Sequence, residues 1–248
     1  MTRKLSADDN AFQFNKELNS QGAIPTHLGL ILDGNRRWAK EKKLRPFEGH
    51  RRGYLRLKKI ALAAFDRDVR YVSAFVFSTE NWRRSEEEVA YLMDLLHWVA
   101  THELNTLHKH NIKVIFIGTE KGLSDTILDA IKTGEKKTAH NTGGTLILCL
   151  NYGGQQELTD AFASLIRSGT TADQVTPELI TKHLYGPSLP PLDLIIRTSG
   201  EQRLSGFMLW SAAYAELKFV LKYWPAFTVA DLEEALMDYA GRQRRLGL

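Results

Sequence analysis

Six short segments of the chain are almost continuously apolar, and polar or turn-forming residues bound each of them. They span residues 27–32, 71–77, 112–118, 145–150 and 193–196, with a weaker run at 216–221. Continuous rather than alternating apolar residues are typical of strands that are buried on both faces. The pattern therefore predicts a mostly parallel central sheet of about six strands, with helices on both faces.

Helical periodicity fills the segments between the apolar runs. Residues 50–65 and 86–108 place apolar side chains three and four positions apart, and Ser85 and Glu88 have the spacing of a capping box before the second helix. Further helices are predicted at 123–139, 155–167, 177–184 and 230–242. The β–α alternation predicts an open α/β fold, which binds ligands outside the carboxyl ends of its strands.

Length and composition narrow the class of protein. The 248 residues suit one large domain, placed at 26–248, with residues 1–25 as an appendage. A net charge of +4 is compatible with an anionic ligand but far from the charge of a dedicated nucleic-acid binder. Cys149 is the only cysteine and no apolar run approaches 18 residues. We therefore expect a cytoplasmic protein without a transmembrane segment, with at most peripheral membrane contact.

A polar cluster directly follows the first apolar run. It comprises Asp33, Gly34, Asn35, Arg36, Arg37 and Trp38. A helix beginning near Asn35 would direct free N–H groups at an anion, and the two arginines suit phosphate. Asp33 fits such a site if it holds a cation, and Mg²⁺ takes one or two carboxylates together with phosphate oxygens. Taken alone, the segment fits equally well a capping aspartate followed by solvent-exposed arginines.

Three further clusters follow other elements. Their candidate ligand-binding residues are Arg45 and His50; Ser78, Thr79, Glu80, Asn81, Trp82 and Arg84; and Arg197, Arg203, Leu204 and Ser205. Each cluster also has an explanation that needs no ligand. These are a surface histidine at His50, a capped helix start at 78–84 and a solvated loop at 197–205. Glu216, after an apolar stretch, is either a surface group or a second metal ligand. Together the clusters suggest two diphosphate-sized anion sites, one metal and an adjoining apolar wall.

Five sequence motifs, four of which contain these clusters, resemble the cis-prenyltransferase family, whose bacterial type is undecaprenyl diphosphate synthase. They are "HLGLILDGNRRWAK", "EGHRRG", "FSTENWRR", "NYGGQQEL" and "DLIIRTSGEQRLSGFMLWSAAYAEL", in family order between His27 and Gly247. The resemblance implies a Mg²⁺-dependent condensation of isopentenyl diphosphate with an allylic diphosphate such as farnesyl diphosphate. It also implies an apolar tunnel and an undecaprenyl-type lipid carrier precursor for cell-wall synthesis. The C-terminal "RRLGL" resembles the tail with which the family forms homodimers.

The resemblance also implies residue roles. Asp33 matches the family's essential metal-associated aspartate, Asn81 the asparagine assigned to proton removal, and Glu216 the second metal-associated carboxylate. Because a neutral amide is a poor base, we expect Asn81 to position diphosphate or water. The allylic diphosphate cradle corresponds to residues 34–38 with His50 and Arg84. The isopentenyl diphosphate clamp corresponds to Arg197, Arg203 and Ser205.

The sequence departs from the family pattern at particular positions. The family often has glycine in place of Arg36. The arginine that usually precedes the motif histidine by four residues is replaced by Pro46, with Arg45 one position early. Val76 stands where long-chain members often carry alanine, and strand alternation predicts that it shares a face with Ala74 and Ser78. A valine in the tunnel would favour a shorter product.

Three other functions remain open from the sequence. One is a non-catalytic subunit of a heteromeric cis-prenyltransferase, although such subunits usually lose the motif aspartate. Another is a prenyl-coupling enzyme that joins two allylic diphosphates into branched or cyclic terpenoid diphosphates. The last is a basic nucleotide- or RNA-binding protein, which predicts strongly salt-dependent binding. A short- or medium-chain cis-prenyl diphosphate synthase is a further alternative for the product.

Overall fold

The sheet is six-stranded and entirely parallel, as the apolar runs predict. A computed structural model describes residues 14–15 and 23–243. The strands are β1 (His27–Ile31), β2 (Tyr71–Ser78), β3 (Ile112–Ile117), β4 (Gly144–Tyr152), β5 (Leu194–Arg197) and β6 (Glu216–Phe219). They lie in the order β3-β4-β2-β1-β5-β6, and each neighbouring pair is parallel. The carboxyl ends of all six strands therefore meet at one edge.

Helices cover both faces of the sheet. They are α1 (Asn35–Glu41), α2 (Pro46–Phe65), α3 (Glu86–Trp98), α4 (Leu104–Lys109), α5 (Asp125–Thr138), α6 (Gly154–Arg167), α7 (Pro177–Lys182) and α8 (Val229–Ala240). One face packs against α2, α4 and α8 in a single large apolar cluster, and the other packs against Phe207, Met208 and Ala212. No helix in the described ranges has the length and hydropathy needed to cross a bilayer.

The predicted long helix at 86–108 is interrupted. Between α3 and α4 the backbone forms a π-helical turn at Val99–Glu103. The predicted capping box before α3 is only half formed, because the Ser85 hydroxyl accepts from the Glu88 N–H at 3.4 Å while the Glu88 carboxylate binds elsewhere. π-turns of this kind are rare and often lie at functional sites.

Strand β2 contains a bulge that periodicity did not predict. Phe75 pairs with Cys149 and Phe77 pairs with Leu150, so Val76 is an extra residue relative to β4. Val76 keeps the face of Ala74, and both contact the cluster around α2. The expectation that Ser78 shares this face is wrong, because the bulge changes the alternation and Ser78 lines a cavity on the other side.

Two predictions fall mostly or wholly outside the described residues. The appendage at 1–25 is described only at residues 14–15 and 23–25, and the C-terminal segment 244–248 is not described. Cys149 is fully buried within β4, and burial raises the pKa of its thiol, as suits a core residue.

Candidate active site

A polar cavity of about 740 Å³ opens at the carboxyl edge of the sheet. Among the described residues its lining carries five Lys or Arg side chains and one carboxylate, that of Asp33, so it is strongly cationic. It is formed by Leu32, Asp33, Gly34, Asn35, Arg36, Arg37, Lys40, Lys43, Leu44, Pro46, His50 and Arg84. We call this space the cationic cavity; its charge and size suit a diphosphate.

The loop after β1 requires glycine at position 34. Gly34 has φ 100°, and a Cβ there would lie 2.6 Å from the Tyr223 ring. The helices on either side also approach closely, since a Cβ at Gly49 would lie 2.2 Å from the Asn35 carbonyl oxygen. These glycines explain why the "DGN" and "EGH" segments lie against each other at the edge of the cavity.

Asp33 lies at the centre of one group of cations. Its Oδ2 accepts from Arg197 Nη2 at 2.9 Å, and its Oδ1 accepts from Arg37 Nη2 at 3.2 Å. Glu201 continues the chain of contacts, binding Arg37 at 3.1 Å and Arg203 at 2.6 Å. The segments after β1 and β5 are therefore joined directly. We call Asp33, Arg37, Arg197, Glu201 and Arg203 the Asp33 cluster.

Arg197 is the most buried member of the Asp33 cluster, with 4% of its surface exposed. Its Nη1 donates to Ser205 Oγ at 2.8 Å and to the Arg203 carbonyl oxygen. Its Nε is buried and has no hydrogen-bond partner within the part of the chain that the structure describes. Ser205 has φ 50°, which turns the 203–205 loop back towards the guanidinium. Leu204 faces the apolar cluster beneath.

Glu88 lies at the centre of a second group of cations. Its carboxylate accepts from Arg84 at 2.7 Å and His50 at 3.3 Å, and Arg36 lies 3.4 Å away. We call these four residues the Glu88 cluster. Glu88 is 7% exposed, whereas the Arg36 side chain is 59% exposed. Desolvation, together with Arg84, lowers the pKa of His50 below 6.5 although Glu88 opposes this.

The segment after β2 forms a short 3₁₀ turn, Thr79–Arg83. Asn81 Oδ1 accepts from the Ser78 N–H at 3.1 Å, so the oxygen of this amide is already bonded. Trp82 donates to Asn151 at 2.7 Å and packs edge-on against Phe77 at 5.2 Å. This connects the segment to the "NYGG" motif after β4. Trp82 itself does not line the cationic cavity.

Beneath the cationic cavity lies a narrower apolar cavity, which we call the tunnel; its volume is about 140 Å³. It shares Leu32, Asn35, His50 and Arg84 with the cationic cavity. Its remaining lining comes from α2, β2, the 81–99 region, α4 and β4. These residues are Gly53, Tyr54, Leu57, Lys58, Phe75, Val76, Phe77, Asn81, Leu92, Leu95, Leu96, Val99, Leu107, Leu146 and Leu148. An apolar space thus opens directly below a cationic one.

A third cavity, of about 690 Å³, lies on the other side of β2. Ser78, Thr79 and Glu80 line it together with Ser205 and the start of α6 at Gly154. The structure therefore divides the predicted "STENWRR" cluster: its first three residues face this space, while Asn81 and Arg84 face the tunnel.

Four predicted residues do not reach these sites: Trp82, described above, and Trp38, Arg45 and Glu216. Trp38 and Arg45 line neither the cationic cavity nor the tunnel, and Arg45 is an exposed residue at the start of α2. Glu216 pairs in register with Leu194, which pairs with Leu28. It therefore lies roughly 16 Å along the strand direction from Asp33, at about 3.3 Å per residue. It forms an ion pair with Arg242 at 2.7 Å, so within one chain it cannot share a metal with Asp33.

Sequence reasoning missed several residues in or beside the cationic cavity. Glu88 was assigned only to a helix cap, although its position four residues after Arg84 is a signal for an ion pair. Glu201 lies between Arg197 and Arg203 in the last of the five motifs, and no local feature of the sequence marked it as a residue of the site. Lys40 and Lys43 could have been found by extending the charged segment that begins at Arg36.

A comparison with protein-family models matches residues 31–247 to the family described as "Putative undecaprenyl diphosphate synthase". An isoprenyl transferase of Agrobacterium fabrum is 44% identical over 92% of this chain and 94% of its own length. An isoprenyl transferase of Thermotoga maritima is 41% identical over 90% of this chain and 97% of its own length.

Solved structures give the same result. Lavandulyl diphosphate synthase from Lavandula x intermedia, in complex with dimethylallyl diphosphate, matches with TM-score 0.86 and 32% identity over 91% of this chain and 99% of that one. A probable undecaprenyl diphosphate synthase from Campylobacter jejuni matches with TM-score 0.77 and 26% identity over 91% and 100%. The parallel sheet, the cavities at its carboxyl edge and these matches agree: the chain belongs to the undecaprenyl diphosphate synthase family of isoprenyl transferases.

Proposed function

We propose that the protein condenses isopentenyl diphosphate with an allylic diphosphate, such as farnesyl diphosphate, to make a cis-polyprenyl diphosphate. The observation that carries the proposal is the cationic cavity directly above an apolar tunnel. A prenyl diphosphate has this division of chemistry, with an anionic head and a hydrocarbon tail. The family, and the relatives named isoprenyl transferases, support the same reaction class.

The allylic substrate would place its diphosphate in the cationic cavity and its tail in the tunnel. Arg36, His50 and Arg84 line the cavity, with Lys40 and Lys43 on the outer side. Cleavage of the carbon–oxygen bond leaves negative charge on the departing diphosphate, and fixed cations lower the barrier by stabilising it. The tunnel walls exclude water from the allylic carbon while positive charge develops there.

The second diphosphate would bind at Arg197, Arg203 and Ser205. Arg197 is held by Asp33 and Ser205, and its unpartnered Nε is a free donor in a buried position. A donor left without a partner costs free energy, which a bound anion would recover. Because Arg197 contacts Asp33, the two proposed diphosphate sites would lie side by side.

Asp33 suits a Mg²⁺ ion that arrives with a diphosphate. Among residues 14–15 and 23–243 no group of three or more His, Cys, Asp or Glu side chains converges on one point. A single carboxylate in an otherwise cationic cavity fits the preference of Mg²⁺ for one or two carboxylates plus phosphate oxygens. When bound, the ion would neutralise diphosphate charge. A metal-ligand role for Glu216 stays a prediction, and it would require a second chain.

Asn81 would position a substrate group rather than remove a proton. Its Oδ1 already accepts from the Ser78 N–H, which leaves the Nδ2 donors for a ligand. An amide donor at the mouth of the tunnel can bind a diphosphate oxygen, and the diphosphate can then accept the proton that the new carbon–carbon bond releases.

We further propose that the product is an undecaprenyl-type precursor of a cell-wall lipid carrier and that the enzyme is a homodimer. An apolar surface supports a dimer: Tyr214, Leu217 and Leu221 are 70%, 37% and 86% exposed beside the edge strand β6. Exposed apolar patches of this kind usually mark protein contacts. A shorter product is the alternative, because Val76 lines the tunnel.

Prenyl coupling is a second candidate, favoured by the 0.86 TM-score with a structure of lavandulyl diphosphate synthase. The two reactions differ in the acceptor. A coupling enzyme turns over dimethylallyl diphosphate alone, whereas a cis-prenyltransferase requires isopentenyl diphosphate.

One assay tests both proposals. The protein is incubated with Mg²⁺, labelled isopentenyl diphosphate and farnesyl diphosphate, and the products are sized; a parallel reaction contains labelled dimethylallyl diphosphate alone. We expect chain elongation in the first reaction and no product in the second. Product in the second reaction alone would replace condensation by coupling, and label that stays in the five-carbon substrate in both would overturn the proposed function.

A further inference from the structure

Residues 223–227, which follow β6, pack against the turn that follows β1, although they lie outside all five motifs. The Trp224 backbone N–H donates to the Asp33 carbonyl oxygen at 3.0 Å, and its indole N–H donates to the Gly53 carbonyl oxygen at 2.8 Å. Neither Tyr223 nor Trp224 lines the cationic cavity. These two residues can therefore act on a ligand in that cavity only through other side chains.

Tyr223 contacts Arg37, which belongs to the cavity wall. The Arg37 guanidinium carbon lies over the Tyr223 ring, 5.6 Å from the ring centroid, which is within the range of a cation–π contact. The same guanidinium binds Asp33 at 3.2 Å and Glu201 at 3.1 Å. The Arg37 side chain still keeps 44% of its surface exposed and lines the cavity. Three contacts thus hold a cation that remains accessible to a ligand.

The three contacts differ in their effect on the charge of Arg37. A carboxylate holds the guanidinium by neutralising it, so Asp33 and Glu201 both weaken its attraction for an anion. An aromatic ring carries no net charge and attracts a cation through its quadrupole. Tyr223 therefore restrains Arg37 without lowering the net positive charge of the cavity wall.

Tyr223 is itself held from two sides. Its ring lies against Gly34, where a Cβ would come within 2.6 Å of Tyr223 Cδ1. Its hydroxyl forms a hydrogen bond with Glu41 on α1, and this bond raises the pKa of Tyr223, so the phenol keeps its proton. A ring that is fixed by the turn after β1 and by α1 offers Arg37 one defined position.

We propose that Tyr223 is a positioning residue that holds Arg37 in the wall of the cationic cavity and thereby strengthens the binding of a diphosphate. The inference rests on the proposed function for the identity of the anion. Without the ring, Arg37 would keep only its two carboxylate partners, and its long side chain would regain rotamer freedom that a bound anion must remove again. The cost of this ordering appears as weaker binding of the diphosphate.

The variants separate the tyrosine ring from its hydroxyl. Tyr223→Leu removes both, whereas Tyr223→Phe keeps the ring and loses only the hydroxyl. The matched control, Tyr71→Leu, removes another half-buried tyrosine, at the start of β2 and therefore at the edge of the sheet opposite the cavity. Tyr223→Met, whose flexible side chain fills a similar space, replaces Tyr223→Leu if that variant does not fold.

The first measurement needs no turnover. Calorimetry with inorganic pyrophosphate as the probe should show binding about fivefold weaker in Tyr223→Leu than in the wild type, as a cation–π contact at a partly exposed site provides. Tyr223→Phe and Tyr71→Leu should bind within twofold of the wild type. Unchanged binding by folded Tyr223→Leu would overturn the inference, and so would a wild type that does not bind pyrophosphate.

A double-mutant cycle tests whether Tyr223 acts through Arg37. In an Arg37→Gln background, Tyr223→Leu should cause no further loss of pyrophosphate affinity, because the cation that the ring holds is gone. A merely structural role for Tyr223 would give the same fivefold loss in both backgrounds, and that result would refute the inference.

Turnover separates this inference from the proposed function. With isopentenyl and farnesyl diphosphate as substrates, KM for farnesyl diphosphate should rise about fivefold in Tyr223→Leu and stay within twofold of the wild type in Tyr223→Phe. A KM as high in Tyr223→Phe as in Tyr223→Leu would contradict a role for the ring. If the wild type makes no product but the pyrophosphate cycle shows the coupling, the role of Tyr223 stands and only the proposed function fails.

Discussion

Two buried or half-buried carboxylates, Asp33 and Glu88, each bind several cations at the same edge of the sheet. Asp33 is bonded by Arg197 and Arg37, and its side chain is 29% exposed. Glu88 is bonded by Arg84 and His50, and its side chain is 9% exposed. Only Asp33 lines the cationic cavity, whereas Glu88 lies behind it. A carboxylate that reaches the cavity can contact a metal–diphosphate, while one behind it can only hold the cations that do.

The cations around Asp33 and Glu88 explain why a site for anions contains carboxylates. Cations that converge on an empty cavity repel one another, and a carboxylate among them lowers this repulsion. Because Glu88 has little exposed surface, it positions Arg84 and His50 before any ligand arrives. Preorganised donors of this kind need no rearrangement at the moment of reaction.

The largest expected effect is at Asp33. Asp33→Ala should lower turnover by at least about 10³-fold, because removal of one charge-stabilising group already costs 10²–10³-fold in other enzymes. Steady-state condensation measures this, and an unchanged circular-dichroism melt shows that the fold is intact. Glu201→Gln is the control, since it removes a carboxylate that pairs with Arg37 but lies outside the cavity wall, and it should lose less than about tenfold. Near-normal turnover of Asp33→Ala would refute the assigned role.

Glu88→Gln should have a smaller and different effect. It removes the charge that orients Arg84 and His50, so KM for the allylic diphosphate should rise by about tenfold while KM for isopentenyl diphosphate stays within twofold. The free energy of unfolding should fall by about 2 kcal/mol, the usual value of hydrogen bonds to a charged group. Glu87→Gln, at the exposed neighbouring position, should change neither. Equal changes in both KM values would show that the two clusters are not separate sites.

Val76→Ala tests the tunnel below both clusters. Removal of two methyl groups from its wall should lengthen the main product and lower the free energy of unfolding by about 1–2 kcal/mol. Product sizing and thermal melting measure the two effects. Val89→Ala, on α3 and outside the tunnel wall, controls for lost stability alone. An unchanged product length in Val76→Ala would count against a role in length control.

The smallest expected effect concerns the pH dependence of stability. The pKa of His50 is lowered by desolvation and by Arg84 and Arg36, which outweigh Glu88, so the unfolded chain binds a proton at higher pH than the folded chain does. The contribution of His50 to stability is therefore complete above pH 6.5. It is lost as the pH falls from 6.5 towards the lower pKa that His50 has in the folded protein. His50→Gln should flatten this decline in denaturant titrations. His27, whose pKa is also lowered by burial, acts in the same direction and will leave part of the slope.

At Glu216 the local pattern left two roles open, a surface group or a second metal ligand, and the resemblance implied the second role. Asp33, Asn81 and Arg197 lie at or after the carboxyl ends of strands, whereas Glu216 opens the run at 216–221. In a parallel sheet the first residue of a strand lies at the edge opposite the carboxyl ends, and the pairing of Glu216 with Leu194 places it there. The metal-ligand role that the resemblance implies for Glu216 therefore stays a prediction, and it would require a second chain.

What the sequence determined by itself were the six strands, their common direction and the edge at which Asp33, Asn81 and Arg197 would meet. Burial requires apolar runs, and parallel strands place their carboxyl ends together, so both features are visible locally. Only the tertiary structure decided which charges pair, where β2 bulges and that Lys58 lines the tunnel. These depend on register and on packing between helices distant in sequence, where a displacement of one residue changes which side chains meet.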